Sequence, residues 1–212
     1  MRSSGHELFW GSVVMPIFAA DGTTVAQVYG RKTTPQLKSG RVYHTYLPRP
    51  LGWVWNLDGV RAEKTVILCE ALIDALSFWV HGFKNVTASY GVSGFTADHL
   101  KAFLDAVVER VLIAYDRDKA GDAAAEKLAK KLLTHKVETM RVLFPRGMDA
   151  NDLVCKVNLP EKALKLCVQS SEWLGRLAKP RVKMVMPEEK AAVVAAASSL
   201  AAPSAPAAQA AA

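Results

Sequence analysis

The sequence predicts an α/β fold: a parallel sheet with helices on both faces, preceded by a small β-rich basic subdomain. Three observations carry this. From residue 65 onward, short apolar runs rich in Val, Ile and Leu alternate with helical patterns. Before residue 65 the pattern is a hairpin followed by a stretch rich in Lys, Arg, Pro and aromatics. Two of the apolar runs end in acids: TVILC runs into Glu70 and RVLIAY into Asp116.

The elements follow in order. SVVMPIF and TVAQVYG, within residues 12–31, read as two strands joined by the turn ADG at 20–22. Residues 32–64 show weak periodicity and predict loops and short strands. TVILC (65–69) is a buried strand, residues 71–81 a helix, and NVTAS (85–89) a second strand. GVSGF makes a loop, and Thr96 is a natural N-cap for the helix TADHLKAFLDAV. RVLIAY (110–115), an Ala/Lys/Leu helix over 120–134, and a strand in VETMRVLFP (137–145) complete a βαβαβαβ order, which demands a parallel sheet. A helix is predicted near 160–178. The boundaries are then 1–64 for the basic subdomain, 65–155 for the sheet domain, 156–180 for a helical extension, and 181–212 for an Ala/Pro-rich tail with little to pack.

Half of the 212 residues are hydrophobic, enough for a sizeable core. The net charge of +7 is unevenly spread. Lys and Arg outnumber Asp and Glu by 8 to 4 in residues 1–64 and again in 156–212, whereas 65–155 hold 11 against 12. Basic flanks around a nearly neutral, carboxylate-bearing middle suit a polyanionic partner beside a metal site, or simply a solvated basic surface. No apolar run reaches the roughly 18 residues of a spanning helix. Pro16 and the preceding Glu7 argue against reading LFWGSVVMPIFAA as a signal peptide. Cys69, Cys155 and Cys167 form no CxxC pair, which predicts a reducing, cytoplasmic setting.

In an open parallel sheet the ligand crevice lies at the carboxyl ends of the strands. Glu70 is placed there, with Asp74 one helical turn on. The pair reads equally as a metal site or as acids favoured by a helix start. Asp116 and Asp118 are alternate residues of an extended turn and can reach one ion, although Asp also favours turns and caps. GMDANDL adds Asp149 and Asp152, and Asp152 reads best as a helix cap. Carboxylates crowded at one sheet edge repel one another unless a cation compensates. Magnesium, which takes oxygen ligands, fits this pattern. Arg31, Lys32, Lys38, Arg41, Arg49 and Arg61, interleaved with Tyr43, Tyr46, Trp53 and Trp55, form either a nucleic-acid groove or a small core with basic residues reaching outward. The histidines lack metal spacing, and no GxxxxGK[ST] phosphate loop is present.

The run 65–155 resembles the Toprim fold shared by topoisomerases and bacterial primases, which carries a glutamate after its first strand and DxD after its third. These read here as CEALIDAL and YDRDKAG. The wider likeness, over residues 12–155, is to the catalytic core of bacterial replicative primases. VVMPIFAADGTTVAQVYGRK, ASYGVSGFTADHL and FPRGMDANDLV match its segments in order. The resemblance implies roles. Glu70 is a metal ligand or a general base toward an attacking 3′-hydroxyl, Asp116 and Asp118 hold Mg²⁺ or Mn²⁺, Asp74 and Asp149 assist, and Arg31 lies on the nucleic-acid or nucleotide surface. The implied reaction is primer synthesis from NTPs on single-stranded DNA. The family's zinc-binding and helicase-binding domains have no counterpart in the sequence, so the likeness implies a truncated or mobile-element form and partners such as a helicase or a zinc-module protein. Ala71, Arg117 and Asn151 depart from the glycine, glycine and aspartate usual at those positions, and the last change is expected to weaken a second metal. A Toprim nuclease and a non-catalytic nucleic-acid-binding remnant are the competing readings.

Overall fold

The computed structural model describes residues 7–175 apart from 35, 38, 41 and 49–51. Lys38, Arg41, Arg49 and the 181–212 tail of the sequence reading lie outside the described residues.

The expected hairpin forms. Strands β1 (Ser12–Phe18) and β2 (Val25–Lys32) pair antiparallel, and β3 (His44–Tyr46) pairs with the other side of β2. The Asp21 carboxylate closes the turn. It accepts from the Thr23 and Thr24 N–H groups, both at 2.9 Å, and from the Thr24 hydroxyl at 2.6 Å. These bonds, the hydroxyl's first, pull its pKa down to about 2. Pro16, with no N–H to offer a ladder, sits on the outer strand β1. Residues 32–64 also hold a helix that the sequence reading does not contain, α1 (Leu57–Ala62). It is too short for a periodicity to show. Its start is set by Asn56, which adopts a left-handed φ of 56° and donates from its side chain to the Lys84 and Val86 carbonyls at 2.8 and 2.7 Å.

The second sheet has the order β5-β4-β6-β7-β8. Strands β4 (Thr65–Cys69), β5 (Val86–Ala88), β6 (Arg110–Ala114) and β7 (Glu138–Arg141) are parallel, as expected. They alternate with α2 (Leu72–Val80), α3 (Ala97–Asp105) and α4 (Lys119–Thr134). Thr96 caps α3 as its sequence position predicts, in a reciprocal capping box with His99. The helical extension is shorter than expected. After α5 (Ala150–Lys156), α6 (Pro160–Gln169) stops at Ser170, and β8 (Glu172–Gly175) lies antiparallel on β7. A four-residue strand placed after a helix leaves no separate sequence signal.

Both sheet faces are covered, which explains why TVILC and RVLIA are continuous apolar runs rather than alternating ones. Ile67, Cys69, Leu112 and Ala114 point to a core shared with α2, α5, α6 and the hairpin residues Ile17 and Tyr29. Val66, Leu68, Val111 and Ile113 point to the other core, with Val60 of α1, Phe103 of α3 and Leu128 and Leu132 of α4. From β4 the chain runs to β5 on one side and then, through α3, to β6 on the other. The β4/β6 junction is therefore a topological switch point, where ligands of open α/β sheets bind.

Candidate metal centre

Register brings the acids together. Cys69 pairs with Ala114, so Glu70 stands level with Tyr115, and Asp116 is one residue further on. Asp74 comes from the first turn of α2, and Asp149 is the N-cap of α5. Asp74, Asp116 and Asp149 each offer an oxygen within 4.8 Å of the others. Oxygens around one ion with ~2.1 Å metal–oxygen bonds lie at most ~4.2 Å apart, so the three are gathered on that scale. Three carboxylates and no softer donor fit a hard divalent cation such as Mg²⁺ or Mn²⁺.

Glu70 and Asp118 flank this triad. One Glu70 oxygen, Oε2, is buried with no hydrogen-bond partner in the protein. Burial first, and then the Asp116 charge, raises the Glu70 carboxyl to about 7. Burial, followed by the Asp149 and Asp118 charges, raises Asp116 to about 6. Asp74 is only 2% exposed, and burial together with Asp149 pushes it well above the usual carboxylate range. The Asn151 N–H donates to Asp74 at 3.1 Å. Asp118 is the N-cap of α4 and accepts from the Gly121 N–H at 2.7 Å. A Cβ on Gly121 would lie 2.3 Å from the Asp116 carbonyl, so only glycine permits this tight turn. The cap of α5 is Asp149, not the Asp152 of the sequence reading. Asp149 accepts from the Asp152 N–H at 2.6 Å, while Asp152 pairs with Lys156 at 3.0 Å.

A pH dependence follows. Native Glu70 and Asp116 bind their protons more tightly than they do in the unfolded chain, so their contribution favours folding at low pH. It is lost as the pH rises from about 4 through about 7. The chelator-treated protein is expected to melt at a lower temperature at pH 8 than at pH 5. Glu70→Gln is expected to flatten the upper part of that fall in calorimetric scans.

On the hairpin, the Arg31 guanidinium stacks 4.6 Å from the Tyr43 ring centre and lies 3.3 Å from His44 Nε2. Lys32 donates to the Trp10 carbonyl. Tyr29, fully buried, hydrogen-bonds His44 at 2.7 Å, and burial pushes its hydroxyl well above the usual phenol range.

Two arginines lie behind the site: Arg141, which escaped sequence reasoning, and Arg117, which the sequence marks only as a departure within DxD. Arg141 of β7 is 4% exposed and reaches the Asp116 carbonyl and the Asp122 carboxylate, at 2.7 and 2.9 Å. Arg117 reaches the same Asp122 oxygen at 3.0 Å. Burial alone would raise Asp122, but the hydrogen bonds and charges of Arg141 and Arg117 outweigh it and hold the carboxyl low. The available signal for Arg141 is a charged residue within the otherwise strand-like run TMRVLF.

A family model described as Toprim-like matches residues 67–154, the span that holds all five acids. Residues 67–154 are thus Toprim-like, and the chain resembles the catalytic core of bacterial DNA primase. The DNA primase of Myxococcus xanthus is 28% identical over 156 residues, covering 70% of this chain and 26% of that protein. The crystal structure of the Aquifex aeolicus primase, comprising its zinc-binding and RNA polymerase domains, superposes with a TM-score of 0.65 at 24% identity. That match covers 82% of this chain and 44% of the other. A DnaG primase catalytic domain bound to single-stranded DNA gives 0.63 at 22%, covering 77% and 53%. The chain spans 16 to 26% of the length of the first curated relatives it matches. Among the described residues no helix is long and apolar enough to cross a membrane.

Proposed function

We propose that the chain is a primase-like nucleotidyltransferase that extends RNA primers on single-stranded DNA in the cytoplasm. The observation that carries this reading is the meeting of Asp74, Asp116 and Asp149 oxygens within 4.8 Å at the sheet's switch point. The names of the curated relatives and the single-stranded DNA complex of a similar fold support the choice of substrate.

In this reading Asp74, Asp116 and Asp149 hold Mg²⁺ or Mn²⁺, with Asp118 and Glu70 completing the acidic shell. A bound divalent ion there would neutralise charge on the attacking and leaving oxygens. The primer 3′-oxygen attacks the α-phosphorus of an NTP, the bond to the β-phosphate breaks, and pyrophosphate leaves. Glu70, with a carboxyl near 7, is matched to accepting the hydroxyl proton near neutral pH. Arg31 and Lys32, together with Lys38 and Arg41 outside the described residues, supply positive charge for template or triphosphate. We assign residues 1–64 to that nucleic-acid surface and 65–155 to the chemistry. A helicase and a zinc-module protein are the proposed protein partners.

The test is labelled-NTP incorporation on a single-stranded template with Mg²⁺ and then Mn²⁺, with and without a zinc-module protein. Oligoribonucleotides that vanish with chelator are the expected result. Nicking of DNA without NTPs would establish a nuclease instead. DNA binding that survives the double substitution Asp116→Asn and Asp118→Asn, with no incorporation under any condition, would leave a binding module.

A further inference from the structure

The polar groups behind the acidic cluster form a connected unit for which metal binding alone gives no reason. The Arg141 guanidinium gathers carbonyls from the end of β6, from the turn after it and from the exit of β7. Nη1 donates to Ile113, Tyr115 and Val142 at 3.2, 2.8 and 3.3 Å, and Nη2 donates to Asp116 at 2.7 Å. Nη2 also donates to the Asp122 carboxylate, at the same oxygen that Arg117 grips. The Arg117 backbone ties the turn sideways. Its N–H donates to the Met148 carbonyl at 3.2 Å, and its own carbonyl accepts from the Gly147 N–H at 3.1 Å. Gly147 and Met148 belong to the loop that delivers Asp149. The segment carrying Asp116 and Asp118 is therefore fastened from below by Arg141, at the start of α4 by Asp122, and along its flank to the Asp149 loop.

Without a cation, Asp74, Asp116 and Asp149 repel one another, and a turn held only by its own backbone would relax outward. We propose that Arg141, Asp122 and Arg117 form a positioning lock that holds Asp116 in place before a metal ion binds. This rests on reading the triad as a metal centre. Arg141 contacts the backbone carbonyl of Asp116 rather than any reacting atom, so its role is to position.

Charge and geometry predict opposite signs, which makes the lock testable. A guanidinium beside a cation site repels the cation, so removing it would tighten metal binding if charge dominated. If the lock dominates, removing it weakens binding. Mn²⁺ titration calorimetry on the full chain compares wild type with Arg141→Gln, Arg141→Lys and Asp122→Asn. Backbone amide hydrogen exchange is followed in the same proteins without metal. The expected result is Mn²⁺ affinity lowered roughly 10-fold in Arg141→Gln, as for groups that orient a ligand. Arg141→Lys, which keeps the charge but loses the planar fork, should not restore it. Exchange should accelerate over 115–122 and 146–149 while that of β4 and α2 stays unchanged.

Tighter or equal Mn²⁺ binding in Arg141→Gln, or unchanged exchange over those segments, overturns the lock. Should the Arg141 variants fail to fold, Asp122→Asn on the helix surface decides through exchange, because its lost charge would weaken a cation in any case. If wild type itself binds no Mn²⁺, the metal-centre reading fails. The exchange comparison then still decides the lock, faster exchange supporting it and unchanged exchange removing it.

Discussion

Asp116→Asn is expected to lower Mn²⁺ and Mg²⁺ affinity by more than about 100-fold, beyond the 10- to 100-fold typical of losing a group that merely orients a ligand. Asp116 is the residue common to every part of the cluster. It meets Asp74 and Asp149 in the triad, and its charge is the one that most raises Glu70. The same substitution removes one of the mutually repelling carboxylates, so the chelator-treated variant is expected to melt above the wild type. Saturating metal should reverse that order. At about 100 times its dissociation constant a metal ion stabilises the protein that binds it by about 2.7 kcal/mol, which in a domain of this size is roughly 5–10 °C. Paired thermal scans with EDTA and with MnCl₂ check both halves. A variant that gains as much from Mn²⁺ as wild type does would show that Asp116 is not a ligand.

The crossing of the two melting curves reflects how the site is built. Asp74 is buried, Asp116 half-buried, and both are raised by burial and by the Asp149 charge. In the metal-free state this arrangement strains the switch point, and the surrounding structure sustains it. Asp149 and Asp118 are helix N-caps, each satisfied by a backbone N–H, and Asp74 accepts the Asn151 N–H. Asn151 brings that N–H to Asp74 without adding a fourth charge beside it, and its side-chain oxygen lies 3.4 Å from the Ser77 hydroxyl. The departure from the family's usual aspartate thus lessens repulsion around the most buried acid of the cluster.

The sequence was most legible where burial on two faces or local turn chemistry dictated the outcome. TVILC became β4 with the expected bounds, and RVLIAY became β6 one residue shorter than expected, because a strand covered on both sides must be apolar throughout. Thr96 and the Asp21 turn followed from side-chain hydrogen bonding to nearby backbone. The meeting of Asp74, Asp116 and Asp149 follows from placing each at the carboxyl end of a parallel strand or the start of its helix. The elements that were missed depend on distant partners. Asn56 starts α1 by bonding carbonyls some 30 residues away, β8 exists because β7 offers an open edge, and Arg141 is explained only by the turn 25 residues before it. Asp152 reads as the cap of α5 from sequence because Asp149, the residue that opens that helix, lies only three positions before it, within the span where element boundaries are hardest to locate.

Glu70→Gln is expected to leave metal binding within a few-fold of wild type while lowering the rate of nucleotidyl transfer by about 10²–10⁴, the range of a positioned general base. Glu70 lies outside the set of oxygens that meet within 4.8 Å, yet its buried Oε2 has no protein partner and its carboxyl is raised to about 7. A carboxylate held at that value can take a proton near neutral pH, whereas one at its ordinary value near 4 would be a poor base. In wild type the rate is expected to rise with pH through about 7 in single-turnover extension of a preformed primer. In Glu70→Gln that limb should disappear together with the rate, while calorimetry still records Mn²⁺ binding. Loss of Mn²⁺ binding in Glu70→Gln would instead make the residue a ligand. A rate loss that retained the pH limb would move the proton acceptor away from Glu70.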